Sequence, residues 1–195
     1  MRDRRERGRA MEQPRQTEFT ADEFIAWAME QPSGRYELDN GQVVAMAPER
    51  VRHNQVKLNA AVSLRNAIAA SGLPCRVFTD GMAVGVDQRT VYEPDAMLRC
   101  GPPLPGDAVK VLDPLVIVEV LSPSTKAIDS GRKLVGYFSL PSVRHYLIVD
   151  IEARAVIHHG RDEDGEIGVR ILRDGSLALD PPGLAIQIRD LFEGA

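Results

Sequence analysis

Acidic residues beside and within apolar segments are the features of this sequence best suited to chemistry. Asp95 follows a Glu-Pro pair, and Glu119 is the only charged residue in the apolar run 115–121. An unpaired buried charge costs several kcal/mol, so a carboxylate in such a run needs a partner or a cation. Lys133, in the next segment, is one available partner. The other interpretation is a metal site, because Mg²⁺ and Mn²⁺ prefer oxygen ligands.

The chemistry depends on whether the segments of Asp95 and Glu119 pair as strands. If they pair, both carboxylates enter one site, where a bound metal would polarise a phosphoryl group and activate water. A nearby lysine would position or deprotonate that water and neutralise developing charge. The purely structural alternative pairs Glu119 with Lys133 or a backbone donor, and makes Asp95 a turn residue after proline. Both interpretations stay open at this point.

The composition is that of a single soluble globular domain. The chain has 195 residues, of which 44% are hydrophobic and 27% charged, which is enough for a sizeable core. The apolar runs are shorter than the ~18 residues of a membrane span, and the N-terminus has no apolar signal segment. We therefore expect no membrane association and a cytoplasmic location. Cys75 and Cys100 lack the spacing of a zinc cluster, and we expect them to be reduced structural thiols.

Charge is distributed unevenly along the chain. Residues 1–10 carry a net charge of +3, so the remainder carries −7 of the total −4. This acidic body argues against a broad basic face for nucleic acid. The composition of residues 1–17 predicts a disordered basic arm, either a solvated tail or a segment that attracts phosphate. The ordered domain is expected over 18–193.

Three segments have the features of helices. A capping box from Thr20 to Glu23 begins the first. Apolar residues at helical spacing predict the second over about 52–71, with Gly72 ending it. The third is predicted over about 126–140, and it places three polar residues at successive i, i+4 steps on one face: Asp129, Lys133 and Tyr137.

Short β-forming runs predict an N-terminal hairpin, central strands and an appended C-terminal antiparallel unit. An Asn-Gly pair joins the hairpin strands. The run 115–121 lacks alternation, which predicts a central strand covered on both faces. The Pro- and Gly-rich stretch 101–113 predicts a loop. Strands are expected at 35–38, 42–46, 74–79, 82–86, 91–98 (which carries Asp95), 115–121, 143–150, 154–159, 167–173, 176–179 and 184–188.

Several blocks together resemble the Uma-two family of restriction-endonuclease-like proteins, in the PD-(D/E)XK nuclease superfamily. The resemblance spans about residues 18–193 and implies an α/β (mixed α+β) fold with a central mixed sheet flanked by helices. It implies metal-dependent endonuclease cleavage of DNA with Mg²⁺ (or Mn²⁺), and a homodimer. The blocks that carry it are Tyr36-Glu37-Leu38, Glu93-Pro94-Asp95, Val118–Thr125, Asp129 with Lys133 and Tyr137, and His145–Asp150.

The resemblance also implies the roles of individual residues. Asp95 matches the first metal-binding acid of the superfamily, Glu119 the second, and Glu37 an auxiliary acid that completes the metal site. The superfamily lysine usually stands two residues after the second acid, where this chain has Leu121. Lys133, from the following helix, takes its place, so the expected catalytic residues are Asp95, Glu119 and Lys133.

Two further residues are auxiliary candidates. His53 resembles a family histidine that contacts phosphate or orients a site water, although an exposed helix start is the structural alternative. Tyr137 is expected to pack in the core with its hydroxyl at the edge of the site. Glu37 has a structural alternative as well, an ion pair with Arg35 or Lys57. The pair at 158–159 alternates faces of a strand, so those histidines are expected to be structural or at the surface.

Three hypotheses for function remain at this stage. The first is a Mg²⁺-dependent endodeoxyribonuclease. The second is a catalytically inactive nuclease-fold module for binding or regulation, which the missing strand lysine and the acidic charge favour. The third is a metal-dependent hydrolase of a small phosphorylated substrate.

Overall fold

A computed structural model describes residues 18–121 and 129–195. The predicted basic arm, 1–17, and residues 126–128 of the predicted third helix lie outside the described residues. The helices are α1 (Ala21–Met29), α2 (Val51–Ser71), α3 (Asp129–Ser139) and a 3₁₀ helix (Ile188–Phe192). The strands are β1 (Tyr36–Asp39), β2 (Gln42–Ala45), β3 (Cys75–Thr79), β4 (Ala83–Asp87), β5 (Thr90–Tyr92), β6 (Ala96–Cys100), β7 (Lys110–Val111), β8 (Val116–Leu121), β9 (His145–Asp150), β10 (Ala155–Arg161), β11 (Ile167–Leu172), β12 (Ser176–Leu179) and β13 (Leu184–Gln187).

The strands form a six-stranded mixed sheet, a five-stranded sheet and a hairpin. The six-stranded order is β11-β10-β9-β8-β6-β3, and the five-stranded order is β2-β1-β5-β4-β7. β8 and β9 pair in parallel, which requires a crossover, and α3 lies in that crossover. The predicted mixed α/β class and the N-terminal hairpin are confirmed. The prediction of an appended C-terminal antiparallel unit is wrong in part. β10 and β11 extend the six-stranded sheet, and only β12 and β13 form a separate hairpin.

β8 lies inside the six-stranded sheet with both of its faces covered, as its apolar run predicts. Val116, Val118 and Val120 pack in a core with α2, the β12–β13 hairpin and the 3₁₀ helix. Ile117 points the other way, into a second core built with α3 and strands of the five-stranded sheet. Since side chains alternate along a strand, Glu119 shares the face of Ile117. The charge therefore lies between the two sheets.

The predicted strand 91–98 is two strands that belong to different sheets. β5 pairs with β1 and β4, and β6 pairs with β3 and β8. The break falls at Pro94, which has no N–H for a ladder hydrogen bond. Asp95 therefore precedes β6 instead of lying within a strand, at the point where the chain crosses between the sheets. The predicted loop 101–113 also contains a short strand, β7, parallel to β4.

Helix ends follow the predicted signals. Thr20 caps α1, with its N–H donating to the Glu23 carboxylate at 2.9 Å. Gly72 ends α2 with φ of 67°, a left-handed conformation that glycine adopts without strain. No helix among the described residues is long and apolar enough to cross a lipid bilayer.

The expectation of reduced thiols is wrong. Cys75 on β3 and Cys100 on β6 lie opposite each other in the antiparallel register and form a disulfide. Their sequence separation of 25 residues gives no sign of this contact. It arises from the pairing of two strands that are not joined by a hairpin.

Candidate active site

Five of the six predicted site residues line one cleft. The cleft has a volume of about 540 Å³ and is lined by Glu37, His53, Asp95, Glu119 and Lys133. β1, the start of α2, the turn before β6, β8 and α3 supply these side chains. The sixth predicted residue, Tyr137, is buried one helical turn after Lys133. The site thus forms where both sheets meet α2 and α3.

Lys133 joins the two sheets at the floor of the cleft. Its ammonium Nζ lies 2.9 Å from Glu37 Oε1 and 3.1 Å from Glu119 Oε1. The Tyr137 hydroxyl donates to the same Glu119 oxygen at 2.7 Å. The i, i+4 spacing predicted that Lys133 and Tyr137 share a helix face, and both contact Glu119. The strand position of the usual lysine holds Leu121, which packs against the apolar core.

Glu119 is in an unusual electrostatic environment. Burial, together with the nearby Asp95 and Glu37 carboxylates, raises its pKa to about 8, while Lys133 and the Tyr137 hydroxyl oppose that rise. Burial and the neighbouring carboxylates also raise the pKa of Tyr137 well above its usual value. Tyr137 therefore stays protonated and acts as a donor. A carboxyl that titrates near neutral pH in a cleft is a feature of functional sites.

Asp95 is held from two sides. Its Oδ2 accepts a hydrogen bond from the Val120 N–H at 2.7 Å, next to Glu119 in β8. Its Oδ1 lies 3.2 Å from Lys57 Nζ. Only 5% of the residue is exposed. The turn position therefore does not leave Asp95 at the surface, as a simple turn residue would be.

Lys57 is a site-proximal residue whose role the sequence did not reveal. Besides Asp95, its ammonium contacts Glu49 Oε1 at 2.5 Å and Asp80 Oδ2 at 2.9 Å. Although burial lowers its pKa, Asp95, Glu49 and Asp80 outweigh that effect and raise it. Arg35 also pairs with Glu49 and Asp80, and it adds Glu93 to this network. The sequence did contain one signal of the burial of Lys57. This lysine falls on the apolar face of α2, one residue after Val56 and four after His53.

His53 is not an exposed helix start. Its Nε2 lies 2.8 Å from the Val120 carbonyl oxygen, which can only accept a hydrogen bond. Its Nδ1 is buried, has no hydrogen-bond partner among the described residues, and lies 3.6 Å from Glu49 Oε2. One group of three potential metal donors within 4.8 Å of one another occurs in the described part of the chain: Glu49, His53 and Asp95.

Glu37 and the histidine pair 158–159 were the other residues with expected contacts. Glu37 does not pair with Arg35 or Lys57; it accepts from the Glu93 N–H at 2.9 Å and contacts Lys133. His158 is buried and bonded to His145 at 2.9 Å, as the structural interpretation predicted. The Asp129 side chain lies outside the described residues. The catalytic and metal-binding roles of the site residues stay predictions.

Residues 21–190 match the model of a family described as "Putative restriction endonuclease", Uma2. The chain belongs to the Uma2 family. A crystal structure described as that of a putative nuclease from Anabaena variabilis has the same fold as this Uma2 protein, with a TM-score of 0.70 at 15% identity, covering 89% of this chain and 97% of that one. Two uncharacterized Synechocystis proteins are also similar. The protein slr1290 is 24% identical, covering 90% of this chain and 92% of its own length, and sll1609 is 25% identical, covering 75% and 82%.

Loss of Lys57 should destabilise this Uma2 protein strongly. Lys57→Met would leave the buried Asp95 without its ammonium, so we expect the free energy of unfolding to fall by about 3 kcal/mol. Arg132→Met is the control, because the exposed pair between Arg132 and Asp39 contributes less than about 1 kcal/mol. Urea denaturation followed by circular dichroism measures both. Equal losses in the two variants would contradict a structural role for the buried network.

Glu119 should make the stability of the metal-free protein depend on pH. Its pKa is 4.5 unfolded and about 8 folded, so the folded state binds more protons between these values and stability falls as pH rises from about 4.5 to about 8. Glu119→Gln removes this loss. The variant should gain stability relative to the wild type by a few kcal/mol over that range, measured by urea denaturation in EDTA. Glu163→Gln, on an exposed turn, should follow the wild type. A constant difference between Glu119→Gln and the wild type would show that Glu119 does not titrate in this range.

Proposed function

We propose that this protein is a metal-dependent endodeoxyribonuclease that hydrolyses DNA phosphodiester bonds in the cleft. The observation that supports this best is the position of Lys133, whose ammonium is 3.1 Å from Glu119 in a cleft also lined by Asp95. Two acids and a lysine in one cleft are the groups that metal-assisted phosphodiester hydrolysis needs. Membership of the Uma2 family and the nuclease-like fold add independent support.

The donor set suits a hard divalent cation. Glu37 and Glu119 share one ammonium, and Asp95 shares another with Glu49 and Asp80. Among the described residues, carboxylates thus outnumber the lysines beside them, and the surplus negative charge favours a cation. Asp95 and Glu119, assisted by Glu37, would hold Mg²⁺ or Mn²⁺ through oxygen. When bound, the ion would polarise the phosphoryl group and lower the pKa of a bound water.

The side chains around the acids have distinct roles in this proposal. Lys133 would orient the attacking water and neutralise charge on the phosphoryl oxygens, because its ammonium is fixed by two carboxylates. The Tyr137 hydroxyl holds one Glu119 oxygen in place. Lys57 and the Val120 N–H fix the Asp95 carboxylate. The lysine of the site thus comes from α3 and not from β8.

Basic residues at the mouth of the cleft are the candidates for phosphate contacts. Arg50 and Arg52 are exposed and line the cleft. Lys57 and Lys133, by contrast, are buried and paired with carboxylates. The positive surface that the described residues offer to DNA is therefore small. Bound metal would offset part of the negative charge of the cleft.

Cleavage of plasmid DNA tests the proposed activity. With Mg²⁺ or Mn²⁺ the wild type should cut DNA, and Glu119→Gln and Lys133→Met should each reduce the rate at least about 100-fold. Glu163→Gln and Lys110→Met are matched surface controls and should cut normally. Uncut DNA with both metals, or full activity of Glu119→Gln, would exclude the proposal.

A binding or regulatory module that has lost catalysis is the alternative function. The observation that favours it is Leu121 at the usual lysine position, together with a charge of −7 outside residues 1–10. Isothermal titration calorimetry separates the two proposals. Absence of any divalent metal binding would favour the inactive module.

We further propose that the protein is a homodimer formed through β11, which is an edge strand of the six-stranded sheet. Ile167, Val169 and Ile171 alternate along β11 and are 44%, 57% and 61% exposed. They extend over one face of the sheet. The unpaired backbone of an edge strand is a template for another strand.

The pattern of β11 fits a second copy of itself. In an antiparallel pair with Val169 on a two-fold axis, Ile167 of one copy lies opposite Ile171 of the other, and the two Val169 side chains meet. On the other face Gly168 lies opposite Arg170, which leaves room for the long side chain. The exposed apolar residues of one copy would thus be covered by those of the other.

A charge at the centre of β11 should abolish the dimer. Val169→Glu places two carboxylates against each other on the axis, so we expect a monomer by size-exclusion chromatography with light scattering. Leu58→Glu, at an exposed apolar position of α2, should stay dimeric. A monomeric wild type, or a dimeric Val169→Glu, would rule out this interface.

A further inference from the structure

His53 presents an unusual nitrogen to the cleft. Because its Nε2 lies 2.8 Å from the Val120 carbonyl oxygen, that nitrogen must carry a hydrogen. In the neutral ring the lone pair is then on Nδ1. Nδ1 is buried and has no hydrogen-bond partner among the described residues. An imidazole whose N–H donates to a backbone carbonyl, with its other nitrogen free to bind, is the usual arrangement of a metal-ligating histidine.

The atom facing this nitrogen is a carboxylate oxygen. Glu49 Oε2 lies 3.6 Å from His53 Nδ1. The other oxygen of Glu49 is taken by Lys57 and Arg35, at 2.5 and 3.2 Å. An ionised carboxylate oxygen and an imidazole lone pair cannot donate to each other. Either a cation or an additional proton on the ring is needed to make this contact favourable.

A third donor completes the group. Each of Glu49, His53 and Asp95 offers an atom within 4.8 Å of the others. Asp95 Oδ2 lies 3.9 Å from His53 Nε2, on the side of the ring that meets β8, and Lys57 contacts both carboxylates, which holds them on the same side of α2. The three side chains come from the segment before α2, from α2 and from the turn before β6. They all line the cleft.

From this geometry we infer that Glu49, His53 and Asp95 form a cation position with a nitrogen ligand, which shares Asp95 with the acidic site. The inference deepens the proposed function and rests on it in taking Asp95 as a metal ligand. Imidazole favours transition metals, whereas Mg²⁺ prefers oxygen alone. The position therefore selects Mn²⁺ and the later divalent transition metals over Mg²⁺. Nδ1 of His53 is the atom that carries this selectivity.

Electron spin-echo envelope modulation of bound Mn²⁺ tests the inference directly, because it detects a nitrogen nucleus bonded to the metal. The wild type should show nitrogen coupling, and His53→Gln should lose it. The glutamine amide can still donate to the Val120 carbonyl, so the variant removes the ligand and keeps the supporting hydrogen bond. By calorimetry its Mn²⁺ affinity should fall at least about tenfold, and its Mg²⁺ affinity should change much less.

His159→Gln is the matched control. His159 Nδ1 is also buried without a partner, yet His159 belongs to no group of three potential metal donors in the described part of the chain. Its replacement should leave the nitrogen coupling and the Mn²⁺ affinity intact. Glu49→Gln, which leaves the imidazole in place, should also weaken Mn²⁺ binding. Thermal melting by circular dichroism verifies that each variant is folded.

Bound Mn²⁺ without nitrogen coupling in the wild type would overturn the inference. Unchanged Mn²⁺ affinity in both Glu49→Gln and His53→Gln would overturn it too. Plasmid cleavage separates this result from the proposed function. Nitrogen coupling in a protein that cuts no DNA would support the cation position and contradict the proposed nuclease activity. Cleavage of DNA without nitrogen coupling would support the nuclease activity and contradict the cation position.

Discussion

Two buried lysine ammonium groups hold the acidic cleft together. Lys133 joins Glu37 of the five-stranded sheet to Glu119 of the six-stranded sheet. Lys57 joins Asp95 to carboxylates before α2 and after β3. Because carboxylates brought this close repel one another, neither sheet could present its acids here without these cations. The position of each acid therefore depends on a helix that supplies a lysine.

Among the described residues of the cleft, negative groups outnumber positive ones. Each lysine is shared among two or three carboxylates of the described residues, and burial raises the pKa of Glu119 to about 8. An additional cation would relieve the repulsion and keep Glu119 ionised. The same imbalance that costs stability in the metal-free protein thus favours metal binding. Stability and proposed function are linked through one set of charges.

Contacts that depend on local periodicity could be predicted from the sequence. The isolated charge in an apolar run identified Glu119, and the i, i+4 spacing of α3 placed Lys133 and Tyr137 on one face. Both side chains reach that carboxylate. The resemblance to the Uma2 family supplied Glu37 and the place of Asp95 as the first metal-binding acid, which periodicity alone would not have selected. The central place of β8 followed from its unbroken apolar run, and the mixed sheet followed from the resemblance.

Contacts between distant segments were beyond such reasoning. Lys57 meets Asp80 and Asp95 only because α2 packs beside the crossing between the two sheets, and no local pattern encodes that packing. The disulfide of Cys75 and Cys100 depends in the same way on the pairing of β3 with β6. The division of the predicted strand at Pro94 did have a local signal. That proline signalled a strand boundary, but not that the two resulting strands enter different sheets.

The displaced lysine follows from where β8 lies. Residue 121 is two positions after Glu119, so its side chain is on the same face of β8, and Leu121 packs there against the core shared with α3. A lysine at that position would have to bring its charge into this apolar contact. Lys133 approaches the same carboxylate from α3, with Glu37 as a second partner and the Tyr92 ring 5.4 Å away. Because β8 continues through α3 into the parallel strand β9, the crossover helix is fixed over Glu119, and it can supply the ammonium without adding a charge to the strand.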